Sequence, residues 1–158
     1  MKIGNFPEIV NDNAARIVAG FVLALILLTI YTESYIPLIF LTYGFLARVL
    51  YGPRFEPFAI ITLNWVIPTF DVGDKPFPGP PKRFAQMIGL IFAGTSLILF
   101  FLGKTTEWKI VLVVLSVFAS LESFLGFCAG CFVFNQLMKI GIIPASVCER
   151  CNQMQAKI

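Results

Sequence analysis

The chain has 158 residues, 58% of them hydrophobic and only 13% charged, and its mean hydropathy is +0.84. That balance excludes a soluble domain and points to an integral membrane protein with room for about four spans of roughly 20 residues each. A formal net charge of +3 makes no case for nucleic acid binding, and the lipid bilayer is the one partner that composition requires.

Asn11, Asp12 and Asn13 offer N-cap side chains just before the first apolar run, residues 14–31. The residues after this run, Tyr31 to Tyr35, do not form a small-residue cleavage site, so the run is expected to be a retained span and not a signal peptide. Arg16 sits in its first turn, where it can reach back to the headgroups. A few residues later comes a second run, 35–50, interrupted near its end by Arg48, and the short turn makes the two helices an antiparallel hairpin.

Seven of the ten prolines then fall between Gly52 and Arg83, in the one long connection. Within it the apolar run 58–67 is too short to span and reads as a re-entrant or interfacial helix started by Pro57. Pro76 to Pro81 is expected to be extended. The third span is expected over about residues 84–102, with Gly89 and Ala93 as small contact points for a neighbour. The fourth begins near Trp108, a residue type favoured at the bilayer interface, and runs to about residue 130, so Cys128 and Cys131 share a face in its last turns. The fold class is therefore an all-α membrane protein of four transmembrane helices, with a Pro-rich loop carrying a short re-entrant or interfacial helix. A cytoplasmic tail, 131–158, includes a short C-terminal helix.

Ten basic residues (Lys2, Arg16, Arg48, Arg54, Lys75, Lys82, Arg83, Lys139, Arg150 and Lys157) would lie on one side and only Lys104 and Lys109 on the other. The positive-inside rule places the ten, both termini and all four cysteines in the cytoplasm. A reducing compartment disfavours a permanent disulfide and favours zinc binding or reversible redox chemistry.

All four cysteines form two Cys-x-x-Cys pairs, Cys128 with Cys131 and Cys148 with Cys151. Their spacing suits a four-thiolate zinc site, and each pair alone suits thiol–disulfide exchange. Ser146 and Glu149 have the form of a capping box, which would place Cys148 in the first turn of a terminal helix where a thiolate is favoured. Glu122 lies about 9 Å deeper than Cys128 at the helical rise. A carboxylate at that depth is a candidate proton relay or, equally, half of a structural pair, and Arg48 is the expected partner, with Gln86 able to bond a protonated form. Arg16, Arg48, Arg54, Lys82 and Arg83 converge on the same membrane boundary, either as headgroup contacts or as an anion pocket beside the cysteines.

Phe45-Leu46-Ala47-Arg48 with Gly52-Pro53-Arg54-Phe55, Pro78-Gly79-Pro80-Pro81-Lys82-Arg83-Phe84-Ala85-Gln86, and Leu121-Glu122 with Gly126-Phe127-Cys128-Ala129-Gly130-Cys131 together carry a resemblance. Nearly the whole chain resembles the small bacterial membrane proteins catalogued as domain of unknown function 4395. The resemblance implies a helical inner-membrane protein in which Arg48, Arg54, Arg83, Gln86, Glu122, Cys128 and Cys131 hold the motif positions, and it brings no established activity. The functional expectation is a membrane-embedded thiol protein that handles disulfide, persulfide or sulfur-containing anions at the cytoplasmic face. Cys128, Cys131, Cys148, Cys151 and Glu122 would carry the chemistry, and a thioredoxin-like or sulfur-carrier protein would be the partner, with an oligomer left open. The competing expectation is a non-enzymatic scaffold or small transporter in which the four cysteines hold zinc.

Overall fold

The structure, a computed structural model, describes residues 7–71, 73, 75–144 and 147–148. A short strand, Ile9–Asn11 (β1), leads into the helix Asp12–Thr32 (α1). Of the three candidate caps, Asn11 does the capping: its side chain accepts from the N–H groups of Asn13 (2.9 Å) and Ala14 (3.4 Å). Asp12 is thereby left to point elsewhere. Glu33 in the left-handed region ends α1, and Ser34 caps the next helix, Tyr35–Tyr51 (α2), so two residues close the hairpin.

After a 3-10 turn at Gly52–Arg54 the chain folds back as Pro57–Ile61 (α3), a π-helical turn and Ile67–Phe70 (α4). Glu56 caps this segment by accepting the Ala59 N–H, and Pro57 takes the first helical position, where its missing donor costs nothing. Phe58 stacks on Phe21 of α1 (centroids 5.1 Å) and meets Phe40 of α2 edge-on (5.5 Å), so the segment dips against the first two spans. Its other face, with Ile60, Ile61, Trp65 and Phe70, is exposed.

Pro76–Pro78 (β2) pairs antiparallel with β1, Asn11 opposite Pro76 and Ile9 opposite Pro78. The third span, Gly79–Phe101 (α5), starts about five residues earlier than expected, because Pro80 and Pro81 occupy its first turn instead of prolonging the extended stretch. The two paired strands bring the starts of α1 and α5 side by side, so Asp12 and Lys82 meet.

Thr105–Ser120 (α6) continues through a π-helical turn, Leu121–Leu125, and stops at Gly126. A separate helix, Ala129–Lys139 (α7), follows. Four helical stretches among the described residues, Asp12–Thr32, Tyr35–Phe70, Gly79–Phe101 and Thr105–Leu125, are long and apolar enough to cross a membrane. The main core joins Val22, Ile26, Leu38, Leu41, Phe45, Ala93, Leu112 and Leu115. Trp108 belongs to it as well: its ring packs on Phe100 at 5.3 Å, and Ser96 Oγ donates to its carbonyl at 3.0 Å. At the hairpin end Lys109 contacts Glu33. The opposite end holds Cys128 and Cys131.

Candidate functional site

The expected last turns of the fourth span do not continue as one helix. Gly126 takes a φ of 65°, and the N–H groups of Gly126 and Phe127 close on the carbonyls of Glu122 and Leu121, both at 3.1 Å. The chain then restarts with Cys128 as the N-cap of α7, its Sγ accepting the Cys131 N–H at 3.3 Å. Cys128 and Cys131 therefore do not lie together on one face of the fourth span. One is the half-buried cap and the other is buried in the first turn behind it. The hydrogen bond from the Cys131 thiol holds Cys128 below its ordinary range, and the Lys82 ammonium adds to this against burial and the Glu122 carboxylate. Giving that hydrogen bond, together with burial, pushes Cys131 far up.

Glu122 projects from the π-helical turn and takes Lys82, not Arg48, as its partner, with Lys82 Nζ 2.8 Å from its Oε1. The same Nζ lies 3.0 Å from Asp12 Oδ1, and Asp12 Oδ2 is 3.4 Å from both Arg16 Nε and Lys75 Nζ. Arg16 thus turns towards Asp12, and its guanidinium lies over Gly126, where any side chain would collide with it. The sequence offers Asp12 as a cap and Lys82 as a headgroup contact or part of an anion pocket, and it does not pair the two. The signal that could have linked them is their position at the starts of two helices whose leading residues can pair as strands.

Arg48 is buried and satisfied elsewhere. Its Nε donates to the Gly44 carbonyl at 3.1 Å, its guanidinium sits 4.5 Å from the Phe45 ring centre, and the Glu56 carboxylate lies beside the same glycine. Arg83 Nε donates to the Val49 carbonyl at 3.0 Å and ties α5 to the end of α2. Arg54 is exposed and borders neither of the two cavities described next.

A cavity of about 180 Å³ lies between α1, α2, α5, α6 and α7, lined by Val22, Phe45, Leu115 and Ala119 together with Glu122, Cys128 and Gly130. A second, of about 70 Å³, lies across Arg48 and Gln86 from it and reaches Asn11, Pro53 and Lys82. Gln86 borders both, and among the described residues its buried Oε1 has no hydrogen-bond partner.

Cys148 is buried beside Phe134, one turn beyond Cys131 on α7, with Phe84, Met138 and Ile143 around them. It is disulfide-bonded, and neither Cys128 nor Cys131, both free thiols, is its partner. Cys151 and the capping box at Ser146 and Glu149 lie outside the described residues. Among the described residues no three His, Cys, Asp or Glu side chains gather as a metal would need.

Comparison with curated proteins finds no match, and comparison with solved structures finds none. Residues 10–139 match the family model described as Domain of unknown function (DUF4395), and the chain belongs to that family.

Proposed function

We propose that the chain is a membrane-embedded thiol protein in which Cys128 exchanges and Cys131 resolves. The single observation that carries this reading is the unequal pair at the start of α7: Cys128 half-buried at the N-cap, where helix N–H groups favour a thiolate, and Cys131 buried one turn on. In the oxidised pair a partner thiolate attacks Cys128 Sγ and expels Cys131 as thiolate. The partner's second thiol then attacks the partner sulfur of the mixed disulfide and releases Cys128. The partner leaves as a disulfide and the pair as the dithiol, and the exchange can run in reverse. The family match ends at residue 139, before Cys148, which makes the first pair the centre of the reading.

By charge asymmetry the site faces the cytoplasm of a bacterial inner membrane, so the partner is a thioredoxin-like protein that brings its own dithiol. Replacing Cys131 by serine should trap mixed disulfides on Cys128 several-fold above wild type, and Cys128→Ser should trap none. Equal trapping by the two variants overturns the reading. One bound zinc per chain with protected thiols overturns it in favour of the structural site. A membrane-impermeant maleimide applied to intact cells should miss Cys128, and efficient labelling from outside would reverse the orientation.

The same pair should show a split in reactivity with pH. A thiol held below its ordinary midpoint of about 8.5 stays ionised as pH falls, so Cys128 alkylation should remain fast below that value. Cys131, pushed up, should react only at more alkaline pH. Identical profiles for the two thiols would contradict the assignment of roles.

A further inference from the structure

The exchange reading leaves one matter open: a pair that takes two electrons from a partner must pass them on. Cys128 borders the larger cavity, and the other lining of that cavity says what it suits. Its walls are mostly apolar, with Arg48, Gln86 and Glu122 as polar groups among them, and it holds about 180 Å³, close to the roughly 150 Å³ of a cavity known to take a benzene ring. One six-membered ring fits.

Two features select the ring's chemistry. Lys82 is already held between Asp12 and Glu122, and Arg48 donates to the Gly44 carbonyl with its guanidinium against the Phe45 ring, so an anion would gain little there. A neutral ligand with hydrogen-bonding oxygens is favoured instead. The Gln86 amide borders the cavity with its oxygen unpaired among the described residues, and an amide can donate to a carbonyl or accept from a hydroxyl, which matches the two redox forms of one molecule. The second feature is access. Phe118 and Val133 border the cavity and are also exposed, Phe118 within a helix long and apolar enough to cross a membrane, which gives a lipid-borne ligand a route in past them. A ligand dissolved in the bilayer can enter there with its tail trailing outward.

We propose that this cavity binds the headgroup of a membrane quinone of the single-ring, benzoquinone type, which oxidises the Cys128–Cys131 dithiol. The proposal rests on the exchange reading above. Two thiols and one quinone give one disulfide and one quinol: the S–S bond forms, both S–H bonds break, and two electrons and two protons end on the quinone oxygens. The disulfide so formed is the species that the partner dithiol reduces.

The test uses the full chain in lipid nanodiscs, reduced at Cys128 and Cys131, with a benzoquinone bearing a ten-carbon tail as probe. Quinol formation is followed by absorbance, and thiol loss by counting. Wild type should form one quinol per two thiols lost. Ala119→Leu and Ala19→Leu, which fill the cavity from different helices, should each slow quinol formation at least tenfold while leaving exchange with a small aromatic disulfide within twofold. Two variants guard against one misfolding. Binding of the same quinone to Cys128→Ser/Cys131→Ser, read as a thermal shift, should persist and be lost when Ala119→Leu is added, and this arm does not depend on thiol chemistry. Wild type that exchanges with the disulfide but reduces no quinone overturns this inference and leaves the exchange reading standing. Quinone bound by the variant lacking both thiols, with no exchange in wild type, overturns the exchange reading and the oxidation step but keeps the site. Equal quinol formation by wild type and the filled variants, or competition by thiosulfate, overturns the quinone site.

Discussion

Lys82→Met is expected to cost the fold about 3–5 kcal/mol, the range for removing one partner from a buried ionic group. The Lys82 side chain is only 4% exposed and its Nζ lies between Asp12 and Glu122 at 3.0 and 2.8 Å. Methionine keeps the length and loses the charge. Asp12 still meets Arg16 and Lys75 at 3.4 Å, so the uncompensated charge falls mainly on Glu122. Adding Glu122→Gln should therefore recover much of the loss, and adding Asp12→Asn should recover less. Glu122→Gln alone should cost less than Lys82→Met, because Lys82 keeps Asp12. Unfolding in one detergent across the singles and doubles measures the coupling. A Lys82→Met loss under about 1 kcal/mol, or equal recovery from either carboxylate variant, would show that the triad does not act as described.

The same variant reports on the thiols. Lys82 is one of the groups that favour the Cys128 thiolate, so its removal should move the Cys128 alkylation midpoint upward. A pairing of Glu122 with Arg48 makes a different forecast, with the strongest coupling in the Glu122 and Arg48 cycle. The geometry puts it in the Glu122 and Lys82 cycle, because Arg48 is held by the Gly44 carbonyl and the Phe45 ring.

How far the sequence can be read depends on what kind of contact decides each feature. The four spans are legible because runs such as residues 14–31 and 35–50 can be stable only as helices buried in lipid. The short helix after Pro57 is legible because its apolar run is too short to cross. Partner choice is not legible in the same way. Arg48 and Lys82 are both basic residues near one boundary, and what separates them is the pairing of Ile9–Asn11 with Pro76–Pro78, which swings the start of α5 against Asp12. Short strands with three prolines among their neighbours carry no alternating pattern to announce them. The break at Gly126 was hidden for a related reason. Apolar residues continue on both sides of it, so hydropathy reads one long helix, whereas a left-handed glycine makes Cys128 a cap. The motif itself was plain in the spacing of the cysteines, but the inequality of its two thiols belongs to the turn.

Gly130→Val should detach that unequal pair from its support. A Cβ at Gly130 would sit 2.6 Å from both the Cα and the Cβ of Ala85, so the obstacle includes helix backbone and cannot swing aside. Helix α7 must then move off α5, at a cost of about 1–3 kcal/mol for overpacking. The larger effect is on reactivity. Cys128 and Cys131 flank Gly130 in the same turn, and Lys82 is on the very turn of α5 from which α7 is displaced. Separation weakens the ammonium's hold on the thiolate and opens the cavity, so disulfide exchange through Cys128 should fall at least tenfold and its alkylation midpoint should rise. Gly94→Val is the matched control, since a Cβ there meets nothing within 4 Å, and it should change stability by no more than about 0.5 kcal/mol. Exchange and alkylation rates on the two valine variants in the same detergent decide the matter. If Gly130→Val reacts like Gly94→Val, close packing of α7 on α5 is not what sets the thiols' chemistry, and the capped turn alone must suffice.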